Sequence, residues 1–287
     1  MKIIAIVVTY NRLDLLKENV KCLLNQTVEL SEIIIVNNAS TDGTFDYCSN
    51  LEKSNDKITV CSLSENTGGS GGFSVAIQLA MEHNADYIWG MDDDAMPHKD
   101  ALENMLYTVN IYDKKSNCCF SCNTYYMQDN NLMQKQFTED RTPLEHLTFV
   151  GFFIPKSLVE KVGPPRADLF IYYDDLDYSL SIKEAGYKII GVVDSIIEHP
   201  FIMPPNRKKI LFFSINIPEM PSWKMYYWMR NNLLIRKKKN RNFIKTFFLE
   251  IYILLKLLLF KREQFCVAVK GFTHGMLNVS GHTKSMP

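Results

Sequence analysis

Tyr87-Ile-Trp-Gly-Met-Asp-Asp-Asp-Ala95 is an apolar run that ends abruptly in three adjacent carboxylates. Side chains of an extended chain alternate between faces, so Asp92 and Asp94 are expected on one side and Asp93 on the other. Two hard oxygen ligands on one face at a strand end suit Mg²⁺ or Mn²⁺, which keep positions open for substrate phosphates. The plainer alternative is a solvated acidic turn.

The flanking sequence alternates strand and helix signals. Ile3 to Val8 is a continuous β-branched run and reads as a strand buried on both faces. Leu13 to Asn25 carries Leu15, Leu16, Val20, Leu23 and Leu24 at helical spacing. Ile33 to Val36 and Ile58 to Leu63 read as further strands, Phe73 to His83 as a helix, and Tyr87 to Met91 as a fourth strand. This alternation predicts right-handed crossovers and a mainly parallel sheet with flanking helices, an α/β class. Ligands of such sheets sit beyond the carboxyl ends of the strands. Three polar clusters fall there: Thr9-Tyr-Asn-Arg12, Asn37 to Gly43, and Asp92 to Asp94. The Gly-x-Gly-x-x-Gly fingerprint is missing after the first strand, which argues against a dinucleotide dehydrogenase.

Asn66-Thr-Gly-Gly-Ser-Gly-Gly-Phe73 precedes the third predicted helix. Glycines here allow close approach of a ligand, and amides at the helix start favour phosphate. A flexible turn is the simpler reading. No Lys follows the last glycine, so the stretch is not a P-loop. Farther on, Phe170-Ile-Tyr-Tyr-Asp-Asp-Leu-Asp-Tyr178 leads into a helix predicted over Tyr178 to Ala185. Capping explains one carboxylate among Asp174, Asp175 and Asp177, not all three. A strand over Ile189 to Val193 follows, then His199, which on its own reads more readily as a structural residue than as a ligand.

The net charge of zero conceals a division. Residues 201–287 hold 16 Lys and Arg against 3 Asp and Glu, and residues 1–200 hold 16 against 29. Two domains are therefore expected, 1–200 and a basic, mostly helical extension over 201–287. The basic block includes Arg236-Lys-Lys-Lys-Asn-Arg241, and an apolar stretch follows from Phe247 to Phe260. The stretch is shorter than the roughly 18–20 residues that cross a bilayer and carries charge. A helix lying on an anionic membrane surface fits it, as does a helix packed on the protein's own core. No nucleic-acid motif accompanies the basic residues, so nucleic acid is not expected as a partner. No signal peptide is visible, and seven cysteines without regular spacing read as reduced thiols. The expected location is cytoplasmic, peripheral on the inner face of the membrane.

In this order the motifs resemble family-2 glycosyltransferases of the GT-A (Rossmann-like) fold. The resemblance rests on Val7-Val-Thr-Tyr-Asn-Arg12, Ile35-Val-Asn-Asn-Ala-Ser-Thr-Asp-Gly43, the Asn66 glycine loop, Asp-x-Asp at 92–94 and Asp-Asp-x-Asp at 174–177. It covers about residues 1–200. The Gly-Gly-Ser-Gly-Gly-Phe and Asp-Asp-Asp-Ala stretches are most similar to bacterial galactofuranosyltransferases. Tyr226-Tyr-Trp-Met-Arg-Asn231 is similar to a stretch of the rhamnosyltransferase-like group.

The resemblance implies roles residue by residue. Thr9, Tyr10, Arg12, Asn37, Asn38, Asn66, Gly68, Gly69, Asp92 and Asp93 would bind the nucleotide-sugar donor, with Tyr10 and Arg12 stacking on uracil. Asp92, Asp94 and His199 would hold Mn²⁺ or Mg²⁺. Asp175 would be the general base, with Asp174 orienting the acceptor. Phe152, Phe153, Asp177 and Trp223 are acceptor candidates, and the aromatic ones read equally as core. The family often has Asp where Asn37 stands, and an amide reads uracil and thymine alike. The implied activity is inverting, metal-dependent transfer of galactofuranose from UDP-galactofuranose to a hydroxyl of a lipid-linked glycan or polysaccharide. Transfer of rhamnose from dTDP-rhamnose is the alternative, and an inactive carbohydrate-binding protein is a further one. An oligomer is compatible with the sequence.

Overall fold

The computed structural model describes residues 1–112, 117–200, 207–210, 213–216, 220–239 and 242–282. Contacts divide the chain into two units: Met1–Ala167 with Asp175–Phe201, and Asp168–Asp174 with Ile202–Pro287. No change in composition marks Asp168–Asp174, which leaves the first unit in mid-sequence.

The first unit alternates strands and helices as the periodicity predicts. Its first half runs β1 (Ile3–Thr9), α1 (Leu13–Leu24), β2 (Glu32–Asn37), α2 (Thr44–Ser54), β3 (Ile58–Ser62), α3 (Gly68–Glu82) and β4 (Tyr87–Asp92). The second half adds β5 (Met96–Pro97), α4 (Ala101–Ile111), β6 (Cys118–Gln128), β7 (Asn131–Lys135), β8 (Thr142–Pro143), β9 (Phe152–Pro155), α5 (Lys156–Val162), α6 (Asp174–Glu184) and β10 (Lys188–Pro200). One sheet runs β3-β2-β1-β4-β9-β6-β10-β5, with β7 on β6 and β8 on β10. It is parallel through β3-β2-β1-β4 and again between β6 and β10. Antiparallel β9 separates the two blocks, so the sheet is mixed where the sequence predicted it mainly parallel.

Alternation along β1 builds both cores. Ile3, Ala5 and Val7 face Leu16, Val20 and Leu23 of α1 and Met105 of α4. Ile4, Ile6 and Val8 face Phe73 and Ile77 of α3, Leu158 of α5 and Ile182 of α6. Both sheet faces are thus covered, as a parallel block of continuous apolar strands requires. Each fully buried Ile or Val contributes roughly 1.5–3 kcal/mol relative to exposure. Gly90 is the point of closest approach, since a Cβ there would lie 2.0 Å from the Phe152 ring. All seven cysteines are free, and burial pushes the Cys122 thiol up to about 11, the state of a packing residue.

The second unit contains a two-stranded antiparallel sheet, β11 (Arg207–Ile210) with β12 (Phe213–Asn216), and the helices α7 (Ser222–Lys238), α8 (Phe243–Phe260) and α9 (Arg262–Met276). Arg236 to Lys238 of the basic cluster close α7, and Arg241 lies outside the described residues. Gly271 and Gly275 let α9 approach α7, because Cβ atoms there would stand 2.5 Å from the Tyr226 carbonyl oxygen and 2.7 Å from that of Arg230. Met225, Met229, Ile253, Leu257 and Ala268 form the core between the three helices.

Glu250 points into this apolar packing and is fully buried. Its Oε1 accepts a hydrogen bond from Asn232 Nδ2 at 2.9 Å, and Oε2 has no partner. Burial raises its pKa to about 9, against the opposing pull of Asn232. The folded chain therefore keeps a proton that the unfolded chain releases near the ordinary glutamate value. Stability from this proton is complete below the unfolded pKa and is lost as pH rises toward the folded one. The expected slope is about 1.4 kcal/mol per pH unit within that window. Glu250→Gln should remove this slope while leaving the stability of the folded protein intact at low pH. Thermal melts of both proteins across the neutral range check it, and parallel pH dependences would refute the assignment.

Candidate active site

The register of the sheet gathers the polar strand ends. Val8 pairs with Asp92 and Thr9 with Asn37, so the carboxyl ends of β4, β1 and β2 lie side by side. Thr9 is buried and donates its hydroxyl to Asp93 Oδ2 at 2.7 Å. Arg12, just beyond β1, places Nη1 3.2 Å from Asp93 Oδ1 and 2.6 Å from Asp94 Oδ2. Burial would lower the guanidinium pKa, but Asp94 and Asp93 outweigh it and raise it. Burial holds Asp93 above the usual carboxylate range, against Thr9 and Arg12. Asp94 is also pushed up by burial, yet His199 and Arg12 bring it below that range. Asp94 is therefore an ionised carboxylate, fit to act as a ligand.

His199 enters from β10, where it is paired with Tyr126 of β6. Its Nε2 stands 3.2 Å from Asp94 Oδ1. The approach lacks hydrogen-bond geometry, so this buried oxygen accepts no hydrogen bond. An imidazole nitrogen and an unsatisfied carboxylate oxygen facing each other fit a divalent cation held between them. Asp92 and Asp94 do not pair on one strand face as the sequence predicts. The strand stops at Asp92, and Asp93 and Asp94 lie in the turn beyond it. The pair gathered by Arg12 is therefore Asp93 and Asp94, and strict alternation does not extend through the triplet. Among the described residues, no group of three His, Cys, Asp or Glu is set to hold a metal ion. Asp92 is not brought to the Asp94–His199 pair.

The other donor candidates surround this cluster. Tyr10 is exposed. Asn37 is buried and ties its own loop to β3, accepting from the Ser40 amide at 3.0 Å and donating to Ser62 Oγ at 3.3 Å. Asn38 braces the glycine segment: Oδ1 accepts from the Thr67 amide at 2.8 Å, and Nδ2 donates to the Gly68 carbonyl at 2.9 Å. Asn66 Oδ1 accepts from the Gly68 amide at 2.8 Å. Gly68 and Gly69 open α3, which starts five residues before the predicted Phe73. The later glycines serve packing within the protein, since a Cβ on Gly72 would meet Val8 at 2.4 Å.

Asp174 and Asp175 open α6. Asp175 Oδ1 accepts from the Leu176 amide at 2.7 Å. Burial raises the Asp175 pKa, opposed by that amide and by the charge of His146. Tyr126, edge-on to His199 at 6.0 Å, is raised by burial and then by the negative charge of Asp175. Tyr126 and His146 thus border the candidate base, and the sequence reading missed both. Adjacent Tyr125 and Tyr126 in a strand gave no signal apart from ordinary core aromatics.

The acceptor candidates separate. Phe152 and Phe153 are fully buried, Phe152 against Phe73 and Phe149, and Phe153 stacked on Tyr87 at 4.9 Å. Their ring faces are covered, so they are core residues and not sugar platforms. Asp177 is buried and faces Arg166 at 3.9 Å. Trp223 packs edge-on to Phe170 and Tyr227.

The segment before α6 is strained. Phe170, Tyr172 and Tyr173 have φ of 69°, 66° and 63°, in the left-handed region. Each such residue costs roughly 1–3 kcal/mol unless its surroundings impose it.

The family model for glycosyl transferase family 2 matches residues 4–161. A putative teichuronic acid biosynthesis glycosyltransferase, TuaG of Bacillus subtilis, is 28% identical over 200 residues, covering 68% of this chain and 77% of that protein. Galactofuranosyltransferase GlfT1 of Mycobacterium tuberculosis is 26% identical over 216 residues, covering 69% and 70%. Among solved structures, S. aureus TarS in complex with UDP superposes with a TM-score of 0.61 at 16% identity, covering 92% of this chain and 73% of that one. The mannosyltransferase PcManGT of Pyrobaculum calidifontis, in complex with GDP-Man and Mn²⁺, gives 0.56 at 16% identity, covering 96% and 75%.

Proposed function

The chain belongs to glycosyl transferase family 2 and is a glycosyltransferase, and from that premise we propose that it moves galactofuranose from UDP-galactofuranose, with inversion, to a hydroxyl of a cell-surface glycan. The observation that carries the reading is the buried Asp94 Oδ1, without a hydrogen bond and facing His199 Nε2 at 3.2 Å. Asp94 and His199 would hold Mn²⁺ or Mg²⁺. When bound there, a divalent cation would supply Lewis-acid neutralisation of the charge on the departing diphosphate. Arg12 and Thr9 keep Asp93 and Asp94 in place. Tyr10 is exposed and available to stack on the base, and the segment braced by Asn38 and Asn66, whose Gly68 amide is taken by Asn66, offers the Gly69 amide to the donor. Asp175 takes the proton of the attacking hydroxyl.

The donor is tested by offering UDP-galactofuranose and dTDP-rhamnose side by side with Mn²⁺ and measuring nucleotide release. Release from the former alone supports the reading. Turnover of dTDP-rhamnose alone replaces the sugar and keeps the site. Release from neither would refute both sugars and point to a donor carrying another one.

The acceptor is lipid-linked, and the enzyme works on an anionic membrane surface. Among the described residues no helix is long and apolar enough to cross a membrane. Helix α8 instead turns Thr246, Glu250, Ile253 and Leu257 inward and leaves an apolar stripe outside. Ile244, Phe248 and Leu259 of that stripe are 71%, 64% and 69% exposed. Lys245, Lys256, Lys261 and Arg262 flank it, which matches a negatively charged lipid surface and opposes self-association of like-charged faces. Each such basic residue contributes about 1 kcal/mol near anionic lipid. Phe248→Ser with Leu259→Ser changes only exposed side chains. It should strip the protein from phosphatidylglycerol vesicles in flotation while leaving its melting temperature unchanged. Undiminished flotation, or a change in oligomeric state in place of vesicle release, would refute the lipid assignment.

A further inference from the structure

We infer that Arg230 and Asn231 are positioning residues for sugar transfer, fixing the backbone that delivers the chain into the first turn of α6. The inference rests on the reading of Asp175 as the base.

The starting point is the strain in the segment Asp168–Asp174. Three aromatic residues in the left-handed region persist only where other groups dictate the backbone. Those groups lie on α7, in the same unit as the segment. Asn231 is fully buried, and its Nδ2 lies 2.9 Å from the carbonyl oxygens of Leu169 and Ile171 and 3.0 Å from that of Tyr172. One amide thus holds three carbonyls within four residues of a strained backbone. Arg230, also fully buried, directs Nη2 to the carbonyls of Leu169 at 2.9 Å and Asp168 at 3.2 Å, and Nη1 to that of Gly281 at 2.6 Å. Its Nε donates to Asn231 Oδ1 at 2.8 Å, which sets the orientation of the amide. The rings of Tyr226 and Tyr227 lie 5.4 and 4.8 Å from the guanidinium, and Tyr226 is anchored by His274 at 2.6 Å.

A buried guanidinium is a costly way to fill space, and apolar side chains of similar volume often serve stability as well or better. The arrangement gains geometric definition instead: planar donors at fixed angles aimed at a row of carbonyls. Tyr173, the last strained residue, is followed directly by Asp174 and Asp175. A backbone shift of about 1 Å at a reacting group costs on the order of 10²-fold in rate. Tyr226, Tyr227, Arg230 and Asn231 are the residues of the Tyr-Tyr-x-x-Arg-Asn stretch, which has no other role in the site. Its spacing places Tyr226, Tyr227 and Arg230 on neighbouring turns of one helix, where the rings flank the guanidinium.

The test uses Asn231→Ala and Arg230→Lys in the full chain, the second preserving charge and bulk. Turnover with UDP-galactofuranose and Mn²⁺ is expected to fall by about 10²-fold in kcat. KM for the donor should change little, because its proposed contacts belong to the first unit. In parallel, ¹³C NMR of aspartate-labelled protein follows the Asp175 carboxyl, assigned by its disappearance in Asp175→Asn. Its titration should move toward that of an ordinary aspartate as the first turn of α6 loses its fixed entry, in samples whose methyl spectrum shows a folded protein. An unchanged Asp175 titration in folded variants overturns the inference, as does a loss expressed in KM alone. If Asn231→Ala does not fold, Arg230→Lys decides. A wild-type protein inactive on the donor removes the sugar-transfer reading, while the Asp175 titration still decides the positioning.

Discussion

Chelating divalent cations should abolish sugar transfer, and Asp94→Ala should lower it by more than about a hundredfold even in excess Mn²⁺. Outer-shell partners of metal ligands cost roughly 10–100-fold when removed, and a direct ligand costs more. The reason lies in the electrostatics of the cluster. Asp94 is largely buried, and its Oδ1 accepts no hydrogen bond. Leaving such an oxygen unsatisfied costs about 1–3 kcal/mol, more for a charged group. Arg12 partly compensates through Oδ2, at 2.6 Å. A cation held by Asp94 and His199 would complete the balance. Because Asp94 is held below the usual carboxylate range, it needs no deprotonation to bind metal at neutral pH. Binding of Mn²⁺, read directly from loss of the free-ion EPR signal, should be strong in the wild type and weak in Asp94→Ala and His199→Ala. Full turnover in excess chelator would refute the metal assignment, and so would unchanged Mn²⁺ binding by both variants.

Asp175→Asn should reduce kcat by roughly 10²–10⁴-fold, the usual contribution of a general base. Asparagine keeps the shape and can still accept from the Leu176 amide. The base must be ionised to work. Burial raises the Asp175 pKa, so wild-type turnover should climb with pH through a value above that of an ordinary aspartate. This acidic limb should vanish from the residual activity of the variant. The stability sign is opposite. A raised pKa means that protonation favours the folded state and that ionisation on raising the pH costs stability. Asp175→Asn removes that cost and should melt no lower than the wild type near neutral pH. Loss of activity with retained stability would separate a catalytic role from a structural one. A mild effect here with a severe one from Asp174→Asn would reverse the two roles.

The parallel half of the fold was legible because its signals are local. The strands Ile3–Thr9, Glu32–Asn37 and Tyr87–Asp92 are each built on a continuous apolar run, and α1 shows its buried stripe in Leu16, Val20 and Leu23. Strand β9 was not legible. Only four residues long, it owes its place to a non-local fit, the Phe152 ring over Gly90. The early start of α3 was hidden because glycine disfavours helix, and here packing against Val8 prevails over propensity. In the site, residue types marked Asp94, His199 and Asp175, since carboxylates and imidazole at strand and helix ends are chemically conspicuous. The side-chain pairing was not marked. Alternation predicted Asp92 with Asp94, whereas the turn after β4 delivers Asp93 and Asp94 to Arg12. Tyr126 escaped notice, and Arg230 and Asn231 were visible as a motif but not as a clamp, because their meaning depends on partners 49 and about 60 residues away in sequence, Asp175 for the first and the carbonyls of Leu169 and Ile171 for the others.

The proposed transfer is one displacement at the anomeric carbon, assisted by one base and one metal site. The measurement that bears on it most directly is NMR of the product formed from UDP-galactofuranose in Mn²⁺, read for the configuration of the new glycosidic bond. A bond of configuration opposite to that of the donor is predicted. Retained configuration would contradict this reading, because a single back-side displacement inverts the anomeric centre.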